Sequence, residues 1–440
     1  MHTRRWARAF GFYFVYRMGV ITLRQQVMLT GLLFGLLLLA VPRAGYEGDL
    51  DFWARWATYS FVNGLSSVYQ VPDNNYNPFY HYILWAYGHL VGSVQAIRYY
   101  APWLKAATLL FDFAGAFWAA SLVPERSRRF GLALLLLLNI GYLYNTLIWV
   151  QVDAIYTCFA FGTVVLAAQR RLPGSMLCYV LAIATKTQAI IFLPPLLLLW
   201  LPQWYHRPRR LAAGLLAGAA LATLLLAPFI WGGWESYLPR IIDLNLHAAN
   251  VYPYLSCNAY NGWYLATSFP TPSVVVDTLP FAGLTYRHWG VLSFCVASVV
   301  ALAPLLAAAW RAWRSRLSQV PSVPLVLLSA GIVPLLFTFC NTQMHERYWH
   351  PAVLFLAAYG FVRRDYLPLA LVSVAYYLQL ERVFGYLKLS HYDWFLFNER
   401  FIAGLFAALI ILVLVKIYRL APWREAPAQV VAAPVVDVAG

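Results

Sequence analysis

Long runs of apolar residues recur along almost the whole chain, and most are separated only by short polar stretches. A run of about 17 to 25 residues can cross roughly 30 Å of hydrocarbon as a helix. The pattern predicts about twelve membrane-spanning helices, with a range of ten to thirteen. They cover approximately 26–43, 101–122, 130–149, 152–168, 174–185, 187–203, 211–231, 288–310, 322–341, 345–362, 365–382 and 400–418.

These spans predict an all-α integral membrane protein in which a single helical bundle covers residues 26–420. The fifth and sixth runs meet almost directly at "TKTQ" (Thr185 to Gln188). Such a close meeting favours a broken or re-entrant helix at this point.

Two of the loops between the spans are long, at 44–100 and 231–287. In the first, apolar residues at helical spacing predict an amphipathic helix in the membrane interface: Leu50, Trp53, Ala54, Ala57 and Phe61. Gly64 is placed to end this helix, and Pro78 suits the first position of a second one. The other loop is rich in Trp, Tyr, Asn and Pro, which fits a sugar-binding surface or an aromatic belt at the level of the lipid headgroups.

The composition agrees with a membrane protein, since 62% of the 440 residues are hydrophobic and 11% are charged. Most of the 32 Lys and Arg residues lie in alternate connectors, such as "ERSRR", "HRPRR" and "RAWRSR", and near the two ends. This bias predicts that both termini are cytoplasmic, including segment 1–25 and a disordered tail at 421–440. The net charge of +15 therefore reflects topology, and the predicted surroundings are membrane lipids, with no nucleic acid.

Three acidic residues, Glu47, Asp49 and Asp51, stand together just after the first span. One Asp at this place could cap the interfacial helix. A cap does not require three acids in five residues. A carboxylate at a low-dielectric edge, beside like charges, can act as a general base toward a hydroxyl group.

Further ionisable residues fall on the same predicted face of the membrane. "NTQMHERYWHP" places His345, Glu346 and Arg347 at the predicted start of the tenth span. Cations beside the free N–H groups of a helix start would attract a phosphate. The alternative is an Arg that reaches the interface with Glu346 as its partner.

Lys186 lies at the break between two apolar runs. A charge at membrane depth costs at least about 2.5 to 3.5 kcal/mol, so it needs a partner or a ligand. Asp153 and a phosphate are both candidates. Gln151 and Asp153, in "WVQVD", could hydrogen-bond a sugar or cap the membrane interface.

The chain contains neither a phosphate-binding G-x-x-x-x-G-K-[ST] loop nor an H-E-x-x-H metal motif. We therefore expect an activated substrate to arrive within the membrane. The chemistry sketched above requires no metal or other cofactor, although a divalent ion beside the acids stays open.

Five stretches together carry a family resemblance: "GDLDFWARWA", "YNPFYHYILW", "WVQVDA", "ATKTQAIIFLPPLLL" and "QMHERYWHPA". In this order, from about Gly45 to Pro351, they resemble the GT-C superfamily of membrane glycosyltransferases. The nearest branches are the dolichyl-phosphate-glucose-dependent glucosyltransferases of asparagine-linked glycan assembly, and bacterial proteins similar to the second mannosyltransferase of GPI-anchor synthesis. The resemblance implies a GT-C-like multi-span bundle.

The resemblance also implies an inverting transfer of a hexose or similar sugar from a polyprenyl-phosphate donor on the extracytoplasmic face. Asp49 matches the catalytic base of the family, and Asp51 matches an assisting acid. His345, Arg347 and Lys186 would hold the donor phosphate. Other predicted substrate-binding residues are Glu346, Gln188, Gln151, Asp153 and Tyr76. Asn75 departs from the family, whose members have an acid near this place.

The predicted acceptor is a hydroxyl group of a lipid-linked glycan, a lipid or a protein, and the predicted location is a bacterial inner membrane. The alternative from another class is a transporter or flippase for a lipid-linked or sugar substrate, whose path would be lined by the intramembrane charges. Such proteins commonly show two related halves. No such relation is visible in this chain, which favours the transferase.

Overall fold

The computed structural model describes residues 21–247, 252–268 and 271–424. The structure is 75% helical, so the predicted all-α class is confirmed. Most of the predicted N-terminal segment 1–25 and most of the predicted disordered tail 421–440 lie outside the described residues.

Eighteen α-helices occur in these three ranges. Those of the first half are α1 (Leu23–Ala40), α2 (Glu47–Asn63), α3 (Pro78–Val91), α4 (Val94–Tyr100), α5 (Lys105–Ser121), α6 (Arg126–Leu137), α7 (Ile140–Leu147), α8 (Asp153–Ala168) and α9 (Leu172–Thr185). Those of the second half are α10 (Leu193–His206), α11 (Pro208–Trp231), α12 (Leu238–Leu246), α13 (Gly262–Ala266), α14 (Tyr286–Arg314), α15 (Val323–Cys340), α16 (His350–Arg363), α17 (Leu367–Phe384) and α18 (Glu399–Arg419).

Short 3₁₀-helices and one small hairpin complete the secondary structure that is described. The 3₁₀-helices are Leu65–Gln70, Ala101–Leu104, Thr187–Phe192, Pro272–Val274, Phe395–Phe397 and Pro422–Arg424. Strands β1 (Pro280–Phe281) and β2 (Leu284–Thr285) pair antiparallel.

Six helical segments of the described chain are long and apolar enough to cross a membrane, and a seventh is added if α6 and α7 form one bent span. The six are α1, the continuous segment Thr187–His206, α11, α14, α15 and α18. Helices lie at the other predicted positions as well, but they are shorter or less apolar. The count of about twelve crossings therefore stays a prediction.

The described bundle has one break within a predicted span and one between two predicted spans. The third predicted span consists of α6 and α7, which meet at an angle of 56°. Between the fifth and sixth, Lys186 has an extended backbone (φ −147°, ψ 134°) and separates α9 from the 3₁₀-helix Thr187–Phe192. The break expected at "TKTQ" is thus present.

Helix α16 lies at the centre of the bundle and packs against α5, α7, α8, α15 and α17. All of its residues from His350 to Phe361 are buried. A helix that is buried on every side can be apolar all round, as the sequence of α16 largely is. At the other extreme, Leu38 is the buried residue of α1, and the other residues of this helix are exposed or half-buried.

The first long loop has the two predicted helices. Helix α2 buries Trp53 and Ala57 and ends at Gly64, whose φ of 84° suits glycine. Pro78 begins α3, as expected.

The second long loop carries α12, which is fastened to the first loop by reciprocal amide hydrogen bonds. Asn77 Nδ2 donates to Asn245 Oδ1 (3.1 Å), and Asn245 Nδ2 donates to Asn77 Oδ1 (2.9 Å). The Thr187 hydroxyl also donates to Asn245 Oδ1 (2.5 Å). This arrangement joins both loops to the helix break beside Lys186.

Candidate active site

A cavity of about 1070 Å³ lies where the two long loops, the break at Lys186 and the segment before α16 meet. Its walls are partly aromatic and amide-bearing on the side of α2, and partly apolar near Ile190, Val291 and Phe337. The predicted site residues that line it are Asp49, Tyr76, Lys186, Gln188, His345 and Arg347. A cavity of this size can hold a drug-sized ligand and is the default candidate for a functional site.

Asp49 is held in place by two donors from the segment between α7 and α8. Its Oδ2 accepts hydrogen bonds from Trp149 Nε1 (3.1 Å) and from Gln151 Nε2. The chain just before α2 is fixed to the same segment, since Tyr46 N donates to the Trp149 carbonyl (3.1 Å). These contacts orient the Asp49 carboxylate through its Oδ2 atom.

Lys186 pairs with a carboxylate at the first position of α8. Lys186 Nζ donates to Asp153 Oδ1 at 2.7 Å, and both side chains are almost fully buried. Asn145 Nδ2 donates to the other oxygen, Asp153 Oδ2 (3.1 Å). An ammonium group has three donors, so Lys186 can bind Asp153 and still donate toward the cavity.

Arg347 pairs with its neighbour in sequence. Arg347 Nη1 donates to Glu346 Oε1 at 2.8 Å, while Arg347 Nε lies 3.8 Å from Asp153 Oδ2, beyond hydrogen-bond distance. Arg347 Nε is buried and has no hydrogen-bond partner in the part of the chain that the structure describes. The guanidinium therefore has donor capacity left over at the wall of the cavity.

The surroundings of His345 favour the uncharged form of its imidazole. Burial and the neighbouring Arg347 hold the pKa of the imidazole below its ordinary value, although Glu346 acts in the opposite direction. The assignment of His345 to the donor phosphate stays a prediction. Its ring can offer a hydrogen bond to an anion without adding positive charge.

Glu346 is an ionised, buried carboxylate. Burial alone would raise its pKa, but His345 and Arg347 together hold the pKa below the ordinary value. The Glu346 backbone carbonyl also accepts a hydrogen bond from Gln379 Nε2 (2.5 Å), so the residue is tied to α17.

The segment His345 to Arg347 precedes α16 and does not form its first turn, in contrast to the predicted span 345–362. Helix α16 begins at His350. The reason is local, because His345 forms bridges with Cys257 and Asn258 in the second long loop, and Gln343 has a φ of 65°. An anion beside His345 and Arg347 would therefore be bound by their side chains. The free N–H groups of the helix start, which the sequence pattern predicts at this point, lie further along the chain, at the start of α16.

The remaining predicted site residues fall into two groups. Gln151, Asp153 and Glu346 lie behind the cavity, where they contact Asp49, Lys186 and Arg347. Asp51 lies outside it, with 68% of its side chain exposed and its carboxylate 2.9 Å from Arg55 Nε. The structure therefore does not bring Asp51 together with the other predicted site residues.

Several contributors to the site were missed from the sequence. Trp149 and Tyr348 have no charge to mark them, yet Trp149 binds Asp49, and the Tyr348 hydroxyl accepts from Gln188 Nε2 (3.0 Å). Asp277 is fully buried and accepts from Thr342 Oγ1 (2.7 Å) and Gln343 Nε2 (2.7 Å). It fixes the second loop against the segment that carries Arg347, and its position in an aromatic loop gave no signal.

No group of three or more His, Cys, Asp or Glu side chains within 21–247, 252–268 and 271–424 is arranged to hold a metal ion. The prediction of a reaction without a cofactor stays a prediction. A scan of the chain against models of known protein families finds no match, and a search of curated proteins finds none either. Function is therefore inferred from the residues of the cavity.

Proposed function

We propose that this protein is an inverting glycosyltransferase of the GT-C type. It moves a sugar from a polyprenyl-phosphate donor to a hydroxyl acceptor on the extracytoplasmic face of the membrane, with both termini in the cytoplasm. The observation that carries the proposal is the single cavity in which Asp49 lies with Lys186 and Arg347. The predicted multi-span bundle, with the bacterial inner membrane as its location, forms part of the same proposal.

The cation side of the cavity supports binding of the donor phosphate. Lys186 and Arg347 each use only part of their donors on a buried carboxylate, and the His345 ring can add one further hydrogen bond. Charge-assisted hydrogen bonds of this kind are the strong ones for phosphate. Because the two cations already have fixed partners, they are oriented before the donor arrives.

The carboxylate side supports a single displacement. Asp49 takes the proton of the acceptor hydroxyl as the acceptor oxygen attacks the anomeric carbon. The bond from that carbon to the phosphate oxygen breaks, and polyprenyl phosphate leaves as an anion stabilised by Lys186 and Arg347.

A double displacement would need a second carboxylate placed at the reacting carbon. Asp243 is the other carboxylate of the described chain that lines the cavity. It is 70% exposed and lies 2.7 Å from His247, at the end of α12. The arrangement therefore favours inversion at the anomeric carbon.

The apolar wall gives the donor chain a path into the membrane. Ile190 and Val291 both line the cavity, yet 54% and 50% of their surfaces are exposed. Both lie in segments that are long and apolar enough to span a membrane. This part of the cavity suits a polyprenyl chain, while the aromatic and amide-bearing wall suits a sugar.

The first experiment incubates the purified protein with a panel of polyprenyl-phosphate sugars together with a lipid extract as the source of hydroxyl acceptors, and follows consumption of each donor. We expect one donor to be consumed, with inversion at its anomeric carbon. Arg347→Lys keeps the positive charge but removes the planar guanidinium, which can donate two parallel hydrogen bonds to a phosphate. The KM for the donor should therefore rise about tenfold or more, while the KM for the acceptor stays within about twofold. A rise confined to the acceptor KM would show that Arg347 does not bind the donor phosphate.

A further inference from the structure

A second ionisable pair lies inside the bundle, away from the cavity wall. Asp112 belongs to α5, and His350 is the first residue of α16. Both side chains are completely buried, and His350 Nε2 lies 3.8 Å from Asp112 Oδ1, which is too far for a hydrogen bond. Both carboxylate oxygens and both ring nitrogens lack hydrogen-bond partners among the described residues.

The Tyr142 and Thr146 hydroxyls lie near Asp112, but neither makes a hydrogen bond of good geometry to its carboxylate. The Tyr142 ring stacks on His350, with centroids 5.4 Å apart, but its hydroxyl donates to the Asp112 backbone carbonyl (3.2 Å). The Thr146 hydroxyl lies close to Asp112 without a hydrogen bond of good geometry, and it is itself without a partner in the described chain. A buried carboxylate in this position needs a donor or a counter-charge.

The surrounding charges do not balance Asp112. Lys186 is paired with Asp153, and Arg347 is paired with Glu346, so these four cancel. The other titratable groups that face the pair are uncharged side chains from α7, α8 and α17: Tyr142, Cys158 and Tyr376.

We propose that Asp112 and His350 form a proton-binding site that holds one proton at neutral pH, carried by Asp112 as a neutral carboxylic acid. An ionised pair would leave two charges in the bundle without a hydrogen bond between them, and each charge would lose its hydration. The neutral acid avoids that cost.

The site lies directly behind the cation side of the cavity. His350 N donates to the Arg347 carbonyl (3.1 Å), and Asn145, which precedes Thr146 in α7, binds Asp153. Loss of the proton would add a negative charge behind Lys186 and Arg347. This proton is independent of the proposed transfer reaction, in which Asp112 and His350 take no part.

Infrared spectroscopy of the purified full-length protein in detergent tests the proposal. At pH 7 we expect the carbonyl stretch of a protonated carboxylic acid, shifted to lower frequency in D₂O and lost in Asp112→Asn. Asp365→Asn is the control, because Asp365 is ionised beside Lys416, and this variant should keep the band. A band that persists in Asp112→Asn, or no band in the wild type, would overturn the proposal.

Two further measurements cover the case in which Asp112→Asn does not fold. Labelling the wild type with ¹³C at aspartate side-chain carboxyls should shift the band, which excludes glutamates such as Glu381 as its source. The second measurement asks whether Na⁺, in place of a proton, balances the Asp112 carboxylate. If Asp112 is protonated, the melting temperature of the wild type should not change when choline replaces Na⁺. A band that the label does not move, or a clear loss of stability without Na⁺, would show that Asp112 is balanced in another way and would contradict the proposal.

Discussion

Asp153→Asn should be among the most destabilising single substitutions in the protein, because it leaves the Lys186 ammonium buried without its counter-charge. At an effective dielectric constant of about 20, unit charges 2.7 Å apart attract by about 6 kcal/mol. Part of this attraction offsets the lost hydration of the two charges. Removal of one partner of a buried pair then costs about 3 to 5 kcal/mol in the free energy of unfolding.

Reversible unfolding in mixed detergents measures this cost. The control is Glu125→Gln, which breaks the pair with Arg364 at 3.1 Å, where 62% of the Arg364 side chain and 47% of the Glu125 side chain are exposed. Little or no change is expected for that variant, because exposed pairs are screened by solvent. The double variant Asp153→Asn with Lys186→Met should recover much of the lost stability. Equal losses in Asp153→Asn and Glu125→Gln would refute the buried pair.

Two further predictions concern stability. Because the folded-state pKa of Glu346 lies below its unfolded value of about 4.3, its ionised form stabilises the fold above that pH, and this contribution is lost as the pH falls through the folded value. Glu346→Gln should therefore have a lower melting temperature than the wild type at pH 7. Between pH 7 and pH 3 its melting temperature should fall by less than that of the wild type. Parallel curves of melting temperature against pH for the two proteins would contradict this. Gly141→Ala should cost about 1 to 3 kcal/mol, because a Cβ would lie 2.5 Å from the Ser373 carbonyl oxygen in α17. Gly131→Ala is the control, because nothing lies within 4 Å of its new Cβ. Its free energy of unfolding should stay the same or rise by up to about 1 kcal/mol. An equal loss of stability in both variants would disprove the close contact between α7 and α17.

The helices were predictable because each one depends mainly on the residues of its own segment. Apolar runs indicated where helices lie, although not how many of them cross a membrane, and Gly64 and Pro78 marked the end of α2 and the start of α3. The bend between α6 and α7 was not predicted, because the apolar run continues through it. Length and hydropathy also do not settle how many of the shorter buried helices cross the bilayer.

The candidate site was predictable as a set of residues but not as a geometry. Unusual charges at the edges of apolar runs identified Asp49, Lys186 and Arg347, and the structure places all three around one cavity. The sequence could not separate Asp49 from Asp51, since only the turn of α2 decides which carboxylate faces inward. It also could not show that Gln151, Asp153 and Glu346 act as partners behind the wall, because their contacts come from distant segments.

Paired variants of the two neighbouring aspartates test the central claim most directly. Purified wild type, Asp49→Asn and Asp51→Asn are compared for sugar transfer from the consumed polyprenyl-phosphate donor, with melting temperatures measured alongside. We predict that Asp49→Asn lowers kcat by at least about 100-fold at unchanged stability, because it removes the base. Asp51→Asn should retain most of the activity, since its carboxylate lies outside the cavity. Full activity in Asp49→Asn, or loss of activity confined to Asp51→Asn, would contradict the account.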